Sequence, residues 1–125
     1  MNNETYTVAQ ACEILGASRN VVRKILKRGT IRGIKRQRNK YRVLDAEQLE
    51  LLRTLYCLNR GGATIRDLKK YASLEYSGAT TLPERKAILE TKKRQMWEKL
   101  KELQTAIDFI ERKVEIIDQT TNIGQ

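Results

Sequence analysis

A chain of 125 residues that sets 25 Lys and Arg against 15 Asp and Glu carries a formal net charge of +10, and it contains no histidine. That length holds one small domain plus an appendage, which disfavours a large pocketed enzyme, and the missing histidines exclude Ser/His and Cys/His catalysis. No apolar run is long enough for a membrane span, and the N-terminus MNNETYTVAQ lacks the basic start and apolar stretch of a secretory signal, so a soluble, cytoplasmic, mainly α protein is expected.

The charge is local. Residues 1–44, 45–81 and 82–125 carry nets of +9, 0 and +1, and residues 19–42 hold eleven Lys/Arg with no acid among them. A segment that repels itself in this way calls for a polyanionic partner, and nucleic acid fits better than a membrane surface because the cations alternate with signals of ordered structure.

Thr7 is placed to cap a short helix with Val8, Ala11, Cys12 and Leu15 at i, i+3, i+4 and i+7, and Gly16 ends it. Ser18 is placed to cap a second helix over 19–28, apolar at Val21, Val22, Ile25 and Leu26 and polar at Asn20, Arg23, Lys24 and Lys27, with Gly29 as its stop. Two helices joined by a short Gly-containing turn, the second with a basic exposed stripe, form the helix-turn-helix pattern whose second helix enters the major groove. Residues 31–36 and 41–44 read as strands around the polar turn 37–40, a hairpin wing that places Arg36, Arg38, Lys40 and Arg42 at its tip and edge while Tyr41 packs or hydrogen-bonds.

Asp45-Ala-Glu-Gln48 predicts a capping box for a third helix bearing Leu49, Leu52, Leu55 and Tyr56, ended by Arg60-Gly61-Gly62. Thr64 and Asp67 cap a short fourth helix through about Tyr71, and 73–81 read as a connector. Thr81-Leu-Pro-Glu84 then opens a helix with no further Gly or Pro before Gly124. Apolar residues recur every seven at Leu82, Leu89, Met96, Leu103, Ile110 and Ile117, with a second series at Leu100, Ile107 and Val114. A helix over 82–117 would run about 54 Å at about 1.5 Å per residue, too long for the preceding domain to cover, so it is expected to pair with a second copy of itself. Trp97 and Phe109 lie off that seam.

Cys12 and Cys57 have no CxxC spacing, and both read as core cysteines; no metal site, disulfide or cofactor is expected. The acids of the second half alternate with Lys and Arg at helical spacing, as solvated pairs do, and there is no glycine-rich phosphate loop, so no catalytic residue is assigned.

The order of these elements resembles the MerR-type transcription regulators, through TVAQACEILGASRNVVR, the wing turn RNKYR, LELLRTLYCLNRGGATIRDLKKY and the helix from LPERKAILE to VEIID. The resemblance implies a winged helix-turn-helix DNA-binding domain with a small β-hairpin wing (1–72), a connector (73–81), a coiled-coil dimerisation helix (82–118) and a short tail (119–125). It also implies a homodimer on a pseudo-palindromic promoter site that acts by distorting double-stranded DNA, with RNA polymerase as a further partner there. Ser18, Arg19, Asn20, Arg23, Lys24, Lys27, Arg36, Arg38, Lys40, Tyr41 and Arg42 are the DNA-binding candidates, with Arg19, Arg23, Tyr41 and Arg42 on positions that touch DNA in the family. Leu89, Met96, Leu100, Leu103, Ile107, Ile110, Val114 and Ile117 are the dimerisation candidates.

The chain departs from the family at Arg23-Lys24-Ile25-Leu26, where an aromatic pair is usual, and at Asn39-Lys40, where Asn-Gly is usual. Both put a point charge where a ring or a tight turn stands elsewhere, which favours phosphate contact and steep salt dependence. The tail of 119–125 is too short for a ligand-binding domain and has no Cys or His for metal sensing, so no effector is assigned. An excisionase-like architectural DNA-bending factor and a coiled-coil module for RNA or protein remain as alternative readings; the long heptad helix argues against the first, and competition by duplex DNA decides the second.

Overall fold

The computed structural model describes residues 4–38 and 41–123, so the expected wing residues Asn39 and Lys40 lie outside the described residues. The chain divides into two compact units, Met1–Lys92 and Lys93–Gln125. The first opens with β1 (Tyr6–Thr7), α1 (Val8–Leu15) and α2 (Arg19–Lys27). Thr7 caps α1 through a reciprocal box: its hydroxyl accepts the Gln10 N–H at 3.1 Å, and Gln10 Oε1 accepts the Thr7 N–H at 2.9 Å. Gly16 ends α1 in the left-handed region at φ 63°, with no atom near enough to crowd a side chain, so the backbone angle alone selects glycine. The Ala17 N–H then donates to the Cys12 carbonyl at 2.9 Å, closing the turn.

Ser18 occupies the cap position of α2, but its side chain makes no capping hydrogen bond, contrary to expectation. Val21, at the third helical position, offers no polar group to complete a box. α2 buries Val22, Ile25 and Leu26, and past its end the buried Thr30 donates its hydroxyl to the Ile25 carbonyl at 2.9 Å, satisfying a terminal acceptor.

β2 (Lys35–Arg36) and β3 (Arg42–Leu44) form the hairpin, closed by the Gln37 N–H on the Tyr41 carbonyl at 2.9 Å. β1 was not anticipated from the sequence: it pairs antiparallel with β3, Tyr6 opposite Leu44 and Thr7 opposite Val43, giving the sheet order β1-β3-β2. The first hairpin strand is also shorter than the 31–36 expected. Ile31 is buried in the core, and the backbone groups of Arg32 bond to side chains of two helices instead of to a strand.

α3 (Ala46–Arg60) starts at the predicted box, with the Asp45 N–H on Gln48 Oε1 and the Gln48 N–H on Asp45 Oδ1, both at 2.8 Å. Leu49, Leu52, Leu55 and Leu58 enter the core; together with Ile25, Leu44 and Leu68 they bind α2, the sheet, α3 and α4 into one apolar centre. Cys57 is exposed, which corrects the expectation that both cysteines are buried; only Cys12 is. Two residues beyond Leu55 on a 3.6-residue repeat, Cys57 falls on the outer face with Arg53 and Arg60.

α4 (Ile65–Tyr76) is one turn longer than expected, since Ser73 and Ser77 do not break it and the chain turns only at Gly78, with φ 89°. Positions 73–81 therefore hold the last turn of α4 and a 3-10 turn (Ala79–Thr81) in place of an open connector. Thr81 does not cap the next helix. Its hydroxyl donates back to the Leu74 and Gly78 carbonyls at 2.6 and 2.8 Å and accepts the Arg85 Nε–H at 2.9 Å, while Arg85 Nη2 reaches the Gly78 carbonyl at 3.2 Å. α5 (Leu82–Ile123) begins here. Lys92 meets the Asp67 carboxylate at 3.5 Å.

The second unit is the remainder of α5, which continues past the expected end at 118 to Ile123. Its apolar residues are uncovered: Leu100, Leu103, Ile107, Ile110, Val114 and Ile117 are exposed, as are Trp97 and Phe109 off the seam, and only Met96 is half-buried. Among the described residues no helix is long and apolar enough to cross a membrane.

Two stability measurements check this packing. Leu52→Ala, at a side chain with no exposed surface, is expected to cost about 2–5 kcal/mol in urea unfolding. The Thr64 backbone N–H, ahead of Lys92, holds the Asp67 carboxyl below its ordinary value of 3.8. A depressed acid stabilises the fold above its unfolded pKa and stops doing so as pH falls through the folded value. Asp67→Asn should therefore be less stable than the native chain at pH 7, with the gap closing below pH 3.8.

Candidate nucleic-acid interface

α2 presents its apolar side to α1 and α3, so its opposite side faces outward, and Arg19, Asn20, Arg23, Lys24 and Lys27 are all exposed. Arg19 and Arg23 stand one above the other at i and i+4. On the hairpin, Arg36 is register partner of Arg42 across β2 and β3, so their side chains share one face. These two pairs and Tyr41 line one open groove of about 530 Å³, whose remaining wall is Thr7, Val8 and Ala9 at the start of α1.

Among the described residues no carboxylate lines the groove, and neither α1 nor α2 carries an acid in its first turn. The first-turn N–H groups of α1 have no intrahelical acceptors and add positive potential to that of the four guanidinium groups. Directly opposed like charges, as at Arg36 and Arg42, destabilise a sheet. Several guanidinium groups on one groove present an external anion with many N–H donors at once, a chemistry suited to the phosphates and base edges of a nucleic acid.

Of the eleven residues expected from the sequence, the groove therefore collects Arg19, Arg23, Arg36, Tyr41 and Arg42. Ser18, Asn20, Lys24, Lys27 and Arg38 are exposed but do not line it, and Lys40 lies outside the described residues. The residues that sequence reading missed are Val8 and Ala9. Their signal was present in the Thr7-x-x-Gln10 box, which marks where α1 begins and hence where its free N–H groups point.

Residues 5–53 match the helix-turn-helix domain family. The chain is 28% identical over 120 residues to an uncharacterised HTH-type transcriptional regulator of Haemophilus influenzae, covering 96% of this chain and 89% of that protein. It also superposes with a TM-score of 0.84 and 27% identity on HiNmlR, a MerR family regulator lacking the sensor domain and solved bound to promoter DNA, over 98% of this chain and 92% of that one. The chain carries a helix-turn-helix domain and shares its fold with MerR family regulators. A MerR family regulator from Bacillus thuringiensis, 19% identical with a TM-score of 0.77 over 89% of this chain and 97% of that one, shares the fold. Within this helix-turn-helix head the groove lies between the second helix and the hairpin, and the chain beyond the matched residues comprises the second half of α3, α4 and α5.

The crowding of cations is expected to cost stability in the free protein. Arg23→Gln is expected to raise the melting temperature at low salt, by relief of about 0.3–1 kcal/mol of repulsion, and to lose that advantage as added salt screens the groove. A lower melting temperature at every salt concentration would show that Arg23 is held by packing and not against its neighbours.

Proposed function

We propose that this protein is a homodimeric, sequence-specific DNA-binding transcription regulator, without catalytic activity, that acts in the cytoplasm. The observation that carries the reading is the acid-free groove between α2 and the hairpin, where four arginines, a tyrosine and the start of α1 converge. In this reading α2 lies in the major groove with Arg19 and Arg23 toward base edges, and Arg36, Tyr41 and Arg42 hold the phosphate backbone. The binding of HiNmlR to promoter DNA supports it.

The exposed seam on α5 supports pairing of two chains. Residues 82–100 hold six Lys/Arg and three acids, whereas 101–118 hold three Lys/Arg and five acids, so antiparallel pairing sets each half against its opposite in charge. Parallel pairing would instead bring Lys86 and Lys93, which occupy seam positions, against their own copies. Two heads related by two-fold symmetry match a pseudo-palindromic promoter site, and regulation follows from distortion of that DNA at the point where RNA polymerase engages it.

DNase footprinting on the promoter regions flanking its own gene tests the whole reading: a two-fold symmetric protected patch with enhanced cleavage at its centre is expected, and uniform, salt-sensitive protection would leave only a basic nucleic-acid binder. Arg23→Ala should cost about 1–3 kcal/mol on the specific site and less elsewhere; an equal loss on all sequences would make Arg23 a phosphate contact. Leu103→Glu should give a monomer in sedimentation, and a persistent dimer would overturn the seam.

A further inference from the structure

Seven residues, 28–34, carry the chain from the end of α2 to the start of β2. A two-residue strand cannot hold its own orientation, so the stance of the hairpin against α2 depends on what fixes this linker. Arg32 is held from three sides. Its N–H donates to the Tyr76 hydroxyl at 2.8 Å, its carbonyl accepts the Gln48 Nε2–H at 2.9 Å, and its guanidinium lies 4.5 Å from the centre of the Tyr76 ring. Tyr76 is 39% exposed, so its contribution to the core is small for a residue of its size. Gln48 completes the α3 cap with its oxygen, which leaves its amide N–H groups to reach the linker.

We propose that Tyr76 and Gln48 are positioning residues for DNA binding: by fixing the backbone of Arg32 they set the angle between wing and recognition helix, and with it the width of the groove between Arg23 and Arg36. The inference rests on the reading that α2 and the wing engage DNA together. Neither residue lines that groove, so each acts through Arg32 and not by touching the nucleic acid there.

Tyr76→Phe keeps the ring under the guanidinium and removes the acceptor; Gln48→Glu keeps the cap oxygen and removes the donor to the Arg32 carbonyl. The probe is a duplex selected from a random pool by the native chain. Each variant should keep native far-ultraviolet circular dichroism and bind that duplex roughly three- to tenfold more weakly. The salt dependence should become shallower, its slope falling by about one for each phosphate that the wing no longer reaches. Discrimination at base pairs read by α2 should stay unchanged. In an Arg36→Ala background Tyr76→Phe should cost less than in the native chain, because both changes act on the wing. Hydrogen exchange of the Arg32 amide in the free protein should quicken in Tyr76→Phe while the cores of α3 and α4 stay protected.

Unchanged Arg32 exchange, or an equal loss of binding in both backgrounds, overturns the positioning role. If Arg36→Ala weakens binding and Tyr76→Phe does not, the wing engages DNA and the clamp is dispensable. If Arg36→Ala has no effect, the reading beneath the proposal falls and the proposal with it.

Discussion

Four guanidinium groups stand around one groove with no carboxylate among its lining residues, and the packing of the first unit resists the resulting repulsion. The resistance is built from short elements, each closed at its ends. α1, α3 and α4 all begin with a reciprocal box, at Thr7 and Gln10, Asp45 and Gln48, and Thr64 and Asp67. Helices of eight to fifteen residues are marginal alone, so these closures and the shared apolar centre at Leu52, Leu55 and Leu68 supply the rigidity that the site requires.

The polar groups that would otherwise be orphaned at element ends are used to join elements. Thr30 returns to α2, Gln48 closes α3 and reaches the wing linker, and Thr81 with Arg85 ties the start of α5 to the end of α4. No buried side-chain nitrogen or oxygen among the described residues lacks a partner. Burial also pushes the Tyr71 hydroxyl above its ordinary value, so it stays neutral in the core.

Most of the fold was legible because its punctuation is local. Gly16, the Asp45 and Thr64 boxes and the heptad series of α5 are each visible within a few residues, and the arginines of the groove follow from an acid-free run. What escaped depended on distant partners. β1 is two residues long and exists only because Leu44 and Val43 lie beside it. Ile31 reads as strand by propensity but goes to the core, since Tyr76, forty-four positions on from Arg32, takes up the neighbouring amide. Ser18 had the composition of a cap without the partner that completes one, and Thr81 spent its hydroxyl on the previous helix. The composition of the Leu-rich α3 suggested that Cys57 was buried, but helical phase decides that it is not.

The division of charge along the chain, +9 in residues 1–44 and +1 over residues 82–125, concentrates the positive field on the first unit. In the field of a polyanion that segment is attracted first: the force acts over about a Debye length, roughly 8–10 Å at physiological salt, so the basic segment leads on approach. Encounters are then productive more often than random orientation allows, and after landing the same uniform attraction permits lateral diffusion along the polymer while the groove samples successive registers. The search is thereby set by ionic strength, independently of how well the final site is recognised.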